Sequence, residues 1–137
     1  MGKFKILGIE HVAIAVKDPS ALTNFFGSLL DIKYKGKEKI EDQKVFTDIF
    51  DTGSGKIELL EESGSDSPIS KFLNKKGPGV HHIAFLVDDI SLAIEQLSCS
   101  GIEFVDKSPR VGAEGFLIAF IHPKSSPGIL VELCQKP

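Results

Sequence analysis

The chain repeats itself, and the repeat restricts the possible folds more than any single residue does. Displaced by 71 positions, GIEHVAIAVKD (Gly8 to Asp18) lies over GVHHIAFLVDD (Gly79 to Asp89), with Gly, His, Ala, Val and Asp coinciding. A displacement of 70 sets Phe46 and Phe50 on Phe116 and Phe120. One of 74 sets Glu58-Leu59 on Glu132-Leu133, as though one hairpin had gained four residues. The matches keep their order. The sequence therefore reads as one module used twice, at 5–62 and 79–136, around a connector at 63–78. At 137 residues, with 42% hydrophobic and 26% charged, such a pair fits one globular domain with a real core.

Each module opens with a period-two strand. His11, Ala13 and Ala15 share one face and Val12, Ile14 and Val16 the other, while His82, Ala84 and Leu86 stand opposite Ile83, Phe85 and Val87. A helix follows in each copy. In the first, Asp18 is the expected N-cap and Pro19 the first turn, with Leu22, Phe25, Phe26, Leu29 and Leu30 at helical spacing. In the second, Asp89 caps, Ile90, Ala93, Ile94 and Leu97 make the stripe, and Gly101 sits where a left-handed residue ends a helix. Three strands then follow: Lys33 to Lys35, Val45 to Asp51 and Lys56 to Glu61, matched by Glu103 to Asp106, Phe116 to His122 and Gly128 to Cys134. The connector holds a short helix, Pro68 to Lys76. The expected fold is α+β: two tandem βαβββ modules pairing into a curved mixed sheet, with a metal site in the concave cleft.

The repeat turns isolated residues into a pattern. His11 and His82 occupy equivalent places on the small-residue face, and Glu58 and Glu132 occupy equivalent places on later strands. Taken singly, an inward histidine is usually a hydrogen-bonded core residue and a strand glutamate is usually solvated. Taken together, two imidazoles and two carboxylates suit a divalent transition ion such as zinc, cobalt, nickel, manganese or iron. Glu58 and Glu132, flanked by Ile57, Leu59, Val131 and Leu133, would be costly to bury unless paired or bound to metal.

Several stretches also carry a family likeness. HVAIAV, GPGVHHIAFLVDDI, RVGAEG before a strand and the ending HPKSSPGILVELCQ resemble the vicinal oxygen chelate superfamily, and within it most resemble methylmalonyl-CoA epimerases. The likeness spans residues 7–136, including the SPI-x-KF pattern of the connector. It implies a single vicinal-oxygen-chelate domain at 1–137, with His11, Glu58, His82 and Glu132 as metal ligands. Cobalt is the first choice of ion, with zinc, nickel or manganese as alternatives. The implied reaction interconverts (2R)- and (2S)-methylmalonyl-CoA by 1,1-proton transfer through a metal-stabilised enolate, with Glu132 as acid/base and a homodimer as the assembly. His81 falls on the helix side as a structural residue. Some epimerases carry a second glutamate one strand before Glu58, four residues after a Gln; counting from Gln43 reaches Thr47, which cannot act as a carboxylate. Asp48 beside it points to the other face unless a bulge intervenes. The partner of Glu132 stays open between Glu58, a water and an unassigned group.

Charge narrows the partners. Sixteen basic against nineteen acidic residues give −3, and Arg110 is the one arginine, which argues against a phosphate-tracking nucleic-acid surface. No apolar run approaches the ~20 residues of a membrane span. The start MGKFKILGIE has no signal-peptide core, and Ile6 stands where a myristoylation motif at Gly2 wants Ser or Thr. Cys99 and Cys134 form neither a disulfide framework nor a zinc-type pair. The expectation is a cytoplasmic protein acting on a small acyl-CoA, with no nucleic-acid or membrane partner. Arg110, Lys75, Lys76 and Lys124 are candidates for coenzyme A phosphates against a plain reading as solvated charges, and His122-Pro123-Lys124 is a candidate loop at the pocket mouth. Two other functions fit the pattern. A glyoxalase-I-type lactoylglutathione lyase uses the same ligand set, but those enzymes commonly have a DPDG-like turn where this chain has HPKSSPG. A non-catalytic small-molecule-binding protein of this fold usually lacks the four metal residues.

Overall fold

The computed structural model describes residues 2–137. Their contacts divide into two compact units, one built from His11–His81 and the other from the chain up to Glu10 with His82–Pro137. Both divisions fall inside strands, β1 (Ile6–Val16) and β5 (Gly79–Val87).

In the His11–His81 unit, β1 leads to a single α-turn, α1 (Ser20–Thr23), and a π-helical turn at Asn24–Leu29. Strands β2 (Lys33–Ile40), β3 (Val45–Asp51) and β4 (Lys56–Glu62) follow, then α2 (Pro68–Lys76). The order is β2-β3-β4-β1, with β1 parallel to β4 and the other pairs antiparallel, so the sheet is mixed. The Thr52 to Gly55 turn closes the β3–β4 hairpin, with Thr52 N–H and Oγ1 donating to the Gly55 carbonyl.

The first helix corrects two expectations. Asp18 is not the N-cap: Pro19 holds that position without a side-chain cap, and Asp18 instead accepts the Ser20 N–H and hydroxyl at 2.9 and 2.7 Å, a local turn one residue earlier. Those bonds hold the Asp18 carboxyl below its ordinary pKa. The wider π turn also breaks the α spacing behind the proposed stripe. Leu22 and Phe26 pack on the core of Val16, Phe50 and Leu59, whereas Phe25, Leu29 and Leu30 are exposed. Strand β2 is longer than Lys33 to Lys35 because a bulge at Lys35 lets it continue to Ile40 along β3.

In the other unit, β5 leads to α3 (Ile90–Cys99), then β6 (Arg110–Val111), β7 (Leu117–Ile121) and β8 (Val131–Gln135), ordered β5-β8-β7-β6 with β5 parallel to β8. Asp89 is the N-cap, accepting the Leu92 N–H at 3.0 Å. Gly101 has φ +91°, and the following Ile102 N–H returns to the Leu97 carbonyl, ending α3 as expected. Glu103 to Asp106 is not a strand: it makes one isolated bridge, Phe104 to Ile121. The ladder stops because the Asp106 carboxylate, rather than backbone, takes the Phe120 N–H, at 2.9 Å. The first of the three strands after α3 is Arg110–Val111 instead. The first residues of the chain are tied to this unit, with Phe4 N–H donating to Gln96 and Lys5 N–H to Asp88.

The βαβββ order thus occurs twice in an α+β architecture with mixed pairing. Among the described residues no helix is long and apolar enough to cross a membrane.

The SPI-x-KF pattern explains the connector. Ser67 is fully buried, accepts the Ser70 N–H at 3.0 Å and caps α2, Pro68 stands in its first turn, and Ile69 and Leu73 are buried. The Ser70 hydroxyl donates to the Glu62 carboxylate at the end of β4. Ser67→Ala should therefore lower stability by about 1–2 kcal/mol, measured as a reduced urea midpoint at unchanged slope.

Candidate metal and acid–base site

Strand geometry puts a histidine beside a glutamate in each unit. In the His11–His81 unit, β1 and β4 run in parallel with Ala13 opposite Glu58, so the glutamate shares the face of His11, Ala13 and Ala15. His11 Nδ1 lies 3.3 Å from Glu58 Oε2. In the other unit, β5 and β8 repeat the register with Ala84 opposite Glu132, and His82 Nε2 lies 3.2 Å from Glu132 Oε1. All four side chains are buried, at 4–5% exposure, so each pair is a desolvated imidazole–carboxylate unit rather than a surface ion pair. Ala13 and Ala84 have no exposure and carry only a methyl beside each pair.

The His82 ring meets the edge of Phe120 at 5.2 Å, with Ala84, Ile118 and Cys134 packed on the same side. The opposite face carries Phe85 and Val87 against Ile90, Ala93, Ile94 and Leu97, the expected helix packing. His81 packs edge-on against Phe72 of α2 at 5.0 Å, as expected of a structural residue.

Each pair offers one imidazole nitrogen and one carboxylate oxygen, the donor types that transition ions accept. The donor set fits a divalent cation: imidazoles supply nitrogen, and buried carboxylates supply charge that a cation would balance.

Thr47 and Asp48 lie on opposite faces of β3. Thr47, opposite Leu60 of β4, points to the Glu58 side and is buried. Asp48 points away, accepts the Tyr34 hydroxyl at 2.6 Å and faces Lys37 Nζ at 3.4 Å. Burial and the Asp48 carboxylate push the Tyr34 phenol up to about 12. A bulge does intervene, but in β2: Tyr34 pairs with Phe50 while Gly36 pairs with Ile49, leaving Lys35 as the extra residue. Asp48 keeps its orientation, and two residues unmarked in the sequence join the site face instead. Glu38 stands opposite Thr47, and Lys56 stands opposite His11, both half-buried. Lys56 was legible as two positions before Glu58. Glu38 was not, because plain alternation from Tyr34 puts it on the other face.

Three of the four candidate coenzyme A cations make other contacts. Arg110 Nε lies 3.0 Å from Asp106, Lys124 Nζ 2.9 Å from Glu103, and Lys76 Nζ sits 5.7 Å over the Phe72 ring. In the His122-Pro123-Lys124 loop, the Lys124 N–H donates to His122 Nδ1 at 3.2 Å.

The family model described as Glyoxalase/Bleomycin resistance protein/Dioxygenase superfamily matches residues 10–120. The chain belongs to that superfamily. It is 36% identical over 133 residues to the mitochondrial methylmalonyl-CoA epimerase of Mus musculus, covering 96% of this chain and 75% of that protein. The crystal structure of methylmalonyl-CoA epimerase from Mycobacterium tuberculosis superposes with a TM-score of 0.92 at 30% identity, over 96% of this chain and 89% of that one. A methylmalonyl-CoA epimerase in complex with methylmalonyl-CoA and NH4+ superposes at 0.90 with 32% identity, over 96% of each chain. Within the superfamily, the chain groups with the methylmalonyl-CoA epimerases.

The Tyr34 phenol yields a pH prediction. Its folded pKa lies above the ordinary 10, so its contribution is complete below pH 10 and is lost as pH rises toward 12. Tyr34→Phe should lower the thermal midpoint at pH 7, where the Tyr34–Asp48 bond is fully present, and flatten its fall between pH 10 and 12, so that the two proteins converge as pH rises.

Proposed function

We propose that the protein is a metal-dependent epimerase that interconverts (2R)- and (2S)-methylmalonyl-CoA by 1,1-proton transfer. The observation that carries this reading is the buried His–Glu pair occurring twice at equivalent strand positions, in a chain whose relatives are epimerases. In this reading His11, Glu58, His82 and Glu132 together hold one divalent ion, cobalt first, with zinc, nickel or manganese as alternatives. When bound, the ion supplies Lewis acidity to the thioester oxygen and carboxylate of the substrate.

The rest of the chemistry falls to side chains. The C2–H bond breaks, its electron pair passes into the thioester carbonyl to give an enolate, and Glu132 takes the proton. Proton return on the opposite face inverts C2. Burial of Glu132 beside Ala84, Phe120 and Cys134 excludes water, so its carboxylate works in a medium where charge interactions are strong. Ala13 and Ala84 leave room beside the histidines for the acyl group. The protein works in the cytoplasm as a homodimer, for which the exposed apolar side chains Ile6, Leu7 and Ile9 of β1 provide contact surface.

Two outcomes test this reading. Metal-stripped protein should incorporate solvent deuterium at C2 of methylmalonyl-CoA only after one of the four ions is restored, read by mass spectrometry. Glu132→Ala should lower that exchange at least ~100-fold. His82→Ala should weaken Co2+ binding by at least about 10-fold in calorimetric titration. A protein that binds metal yet exchanges no faster than free thioester with any ion would overturn the assignment.

A further inference from the structure

The reaction proposed above needs two proton-carrying groups, one for each face of C2, and Glu132 accounts for one. We propose that Glu38 is the other; the inference rests on the epimerase reading and goes beyond it.

The argument is one of register. From Ile40 back to Gly36, β2 pairs residue for residue with Val45 to Ile49 of β3, placing Glu38 directly across from Thr47. Cross-strand partners share a face, with Cβ atoms roughly 4.5–5.5 Å apart. Thr47 is in turn opposite Leu60, and the next row places Ile49 opposite Glu58. Glu38, Thr47, Leu60 and Glu58 thus project from one side of the sheet, the side of His11 and Ala13.

Contacts on the reverse side agree with this sorting. Lys37 reaches Asp48, Tyr34 bonds Asp48 and packs on Phe50, and Lys37 and Lys39 lie over the Phe46 ring, all away from Glu58.

The bulge creates the placement. Without the extra Lys35, continuing from the Tyr34–Phe50 pair would set Lys37 against Thr47 and turn Glu38 to the reverse face. Gly36, at φ +121°, supplies the backbone conformation that a bulge here requires and that a side chain would strain.

Sterics and burial complete the case. Thr47 is buried and short, and the neighbouring side chains on this face, Ile40, Val45, Ile49 and Leu60, are apolar and buried, so Glu38 stands at the edge of an apolar patch on the Glu58 side. Glu38 is itself half-buried, reachable by a substrate entering from solvent. In the forward direction one glutamate takes the C2 proton while the other, protonated, delivers its own to the opposite face. Each turnover leaves the first glutamate protonated and the second ionised; release of one proton to solvent and uptake of another restores the starting state, and the reverse reaction runs from the swapped state.

The test follows each epimer separately in deuterium oxide with the metal-loaded protein. Glu38→Gln should lower inversion at least ~100-fold. It should still exchange the C2 hydrogen of one epimer, because Glu132 alone can remove and return a proton on its own face. Thr47→Glu added to Glu38→Gln should recover at least ~10-fold of the lost inversion by restoring a carboxylate across the same strand pair. Co2+ titration should give the same affinity for Glu38→Gln as for the unsubstituted protein. Inversion by Glu38→Gln within threefold of normal would overturn the proposal, as would loss of exchange at both epimers or a loss of Co2+ affinity that moved Glu38 into the ligand set. Absence of inversion in the unsubstituted protein is a separate result: it removes the epimerase reading itself and this role with it.

Discussion

A carboxylate withdrawn from water has to be answered by a nearby positive charge, a cation or a set of donors, and the architecture is arranged around meeting that demand twice. Glu58 and Glu132 are each about 95% buried in the middle of apolar strands, and each has an imidazole nitrogen little more than 3 Å away. The parallel pairings β1/β4 and β5/β8 make this possible. Each sets an alanine opposite the glutamate, so the histidine two residues earlier in the strand lies diagonally beside the carboxylate. A slip of one residue would turn both glutamates into the apolar layers under the helices. Those layers, Val16, Phe50 and Leu59 in one unit and Val87, Ile90, Ala93 and Leu133 in the other, hold the register against such a slip.

The two faces of the β2–β3–β4 sheet divide the charged residues between separate tasks. On one side, Asp48, Tyr34, Lys37 and Glu61 answer one another: Asp48 takes the phenol, and Lys37 bridges to both acids. These bonds raise the Lys37 pKa against the opposing effect of its partial burial. Asp48 is thereby committed to structure. On the other side lie Glu58, Thr47 and Glu38, where the chemistry of the superfamily takes place in the proposed reading. The threonine at position 47 is a departure from some epimerases. The departure is local, because the bulge sets a glutamate directly across the strand pair from it.

Membership of the superfamily and the epimerase kinship account for features that packing leaves unexplained. Nothing in folding requires the same His–Glu pair twice. An apolar pair in each place would bury as much surface without the cost of desolvating ions. The connector is held by a chain of bonds: Ser67 caps α2 and bonds Ser70, whose hydroxyl donates to Glu62 at the end of β4.

Much of this was legible from the chain alone, and for a definite reason. Period-two alternation in HVAIAV and HHIAFLV sorts the faces of two strands, the repeat pairs His11 with His82 and Glu58 with Glu132, and the S-P-I and D-D-I signals start α2 and α3 where they are observed. These are local properties, carried by residues within a turn or a pleat of one another. Three features were decided only in the folded chain. The π turn at Asn24–Leu29 carries Phe25, Leu29 and Leu30 outward, since the widened turn answers to packing of Phe26 on Phe50 at 5.9 Å rather than to spacing. Glu103 to Asp106 fails as a strand because an aspartate side chain claims the backbone donor of a residue 14 positions away. The face of Glu38 depends on one extra residue in β2, which alternation within a strand cannot reveal, because a bulge is defined only by the partner strand it is counted against.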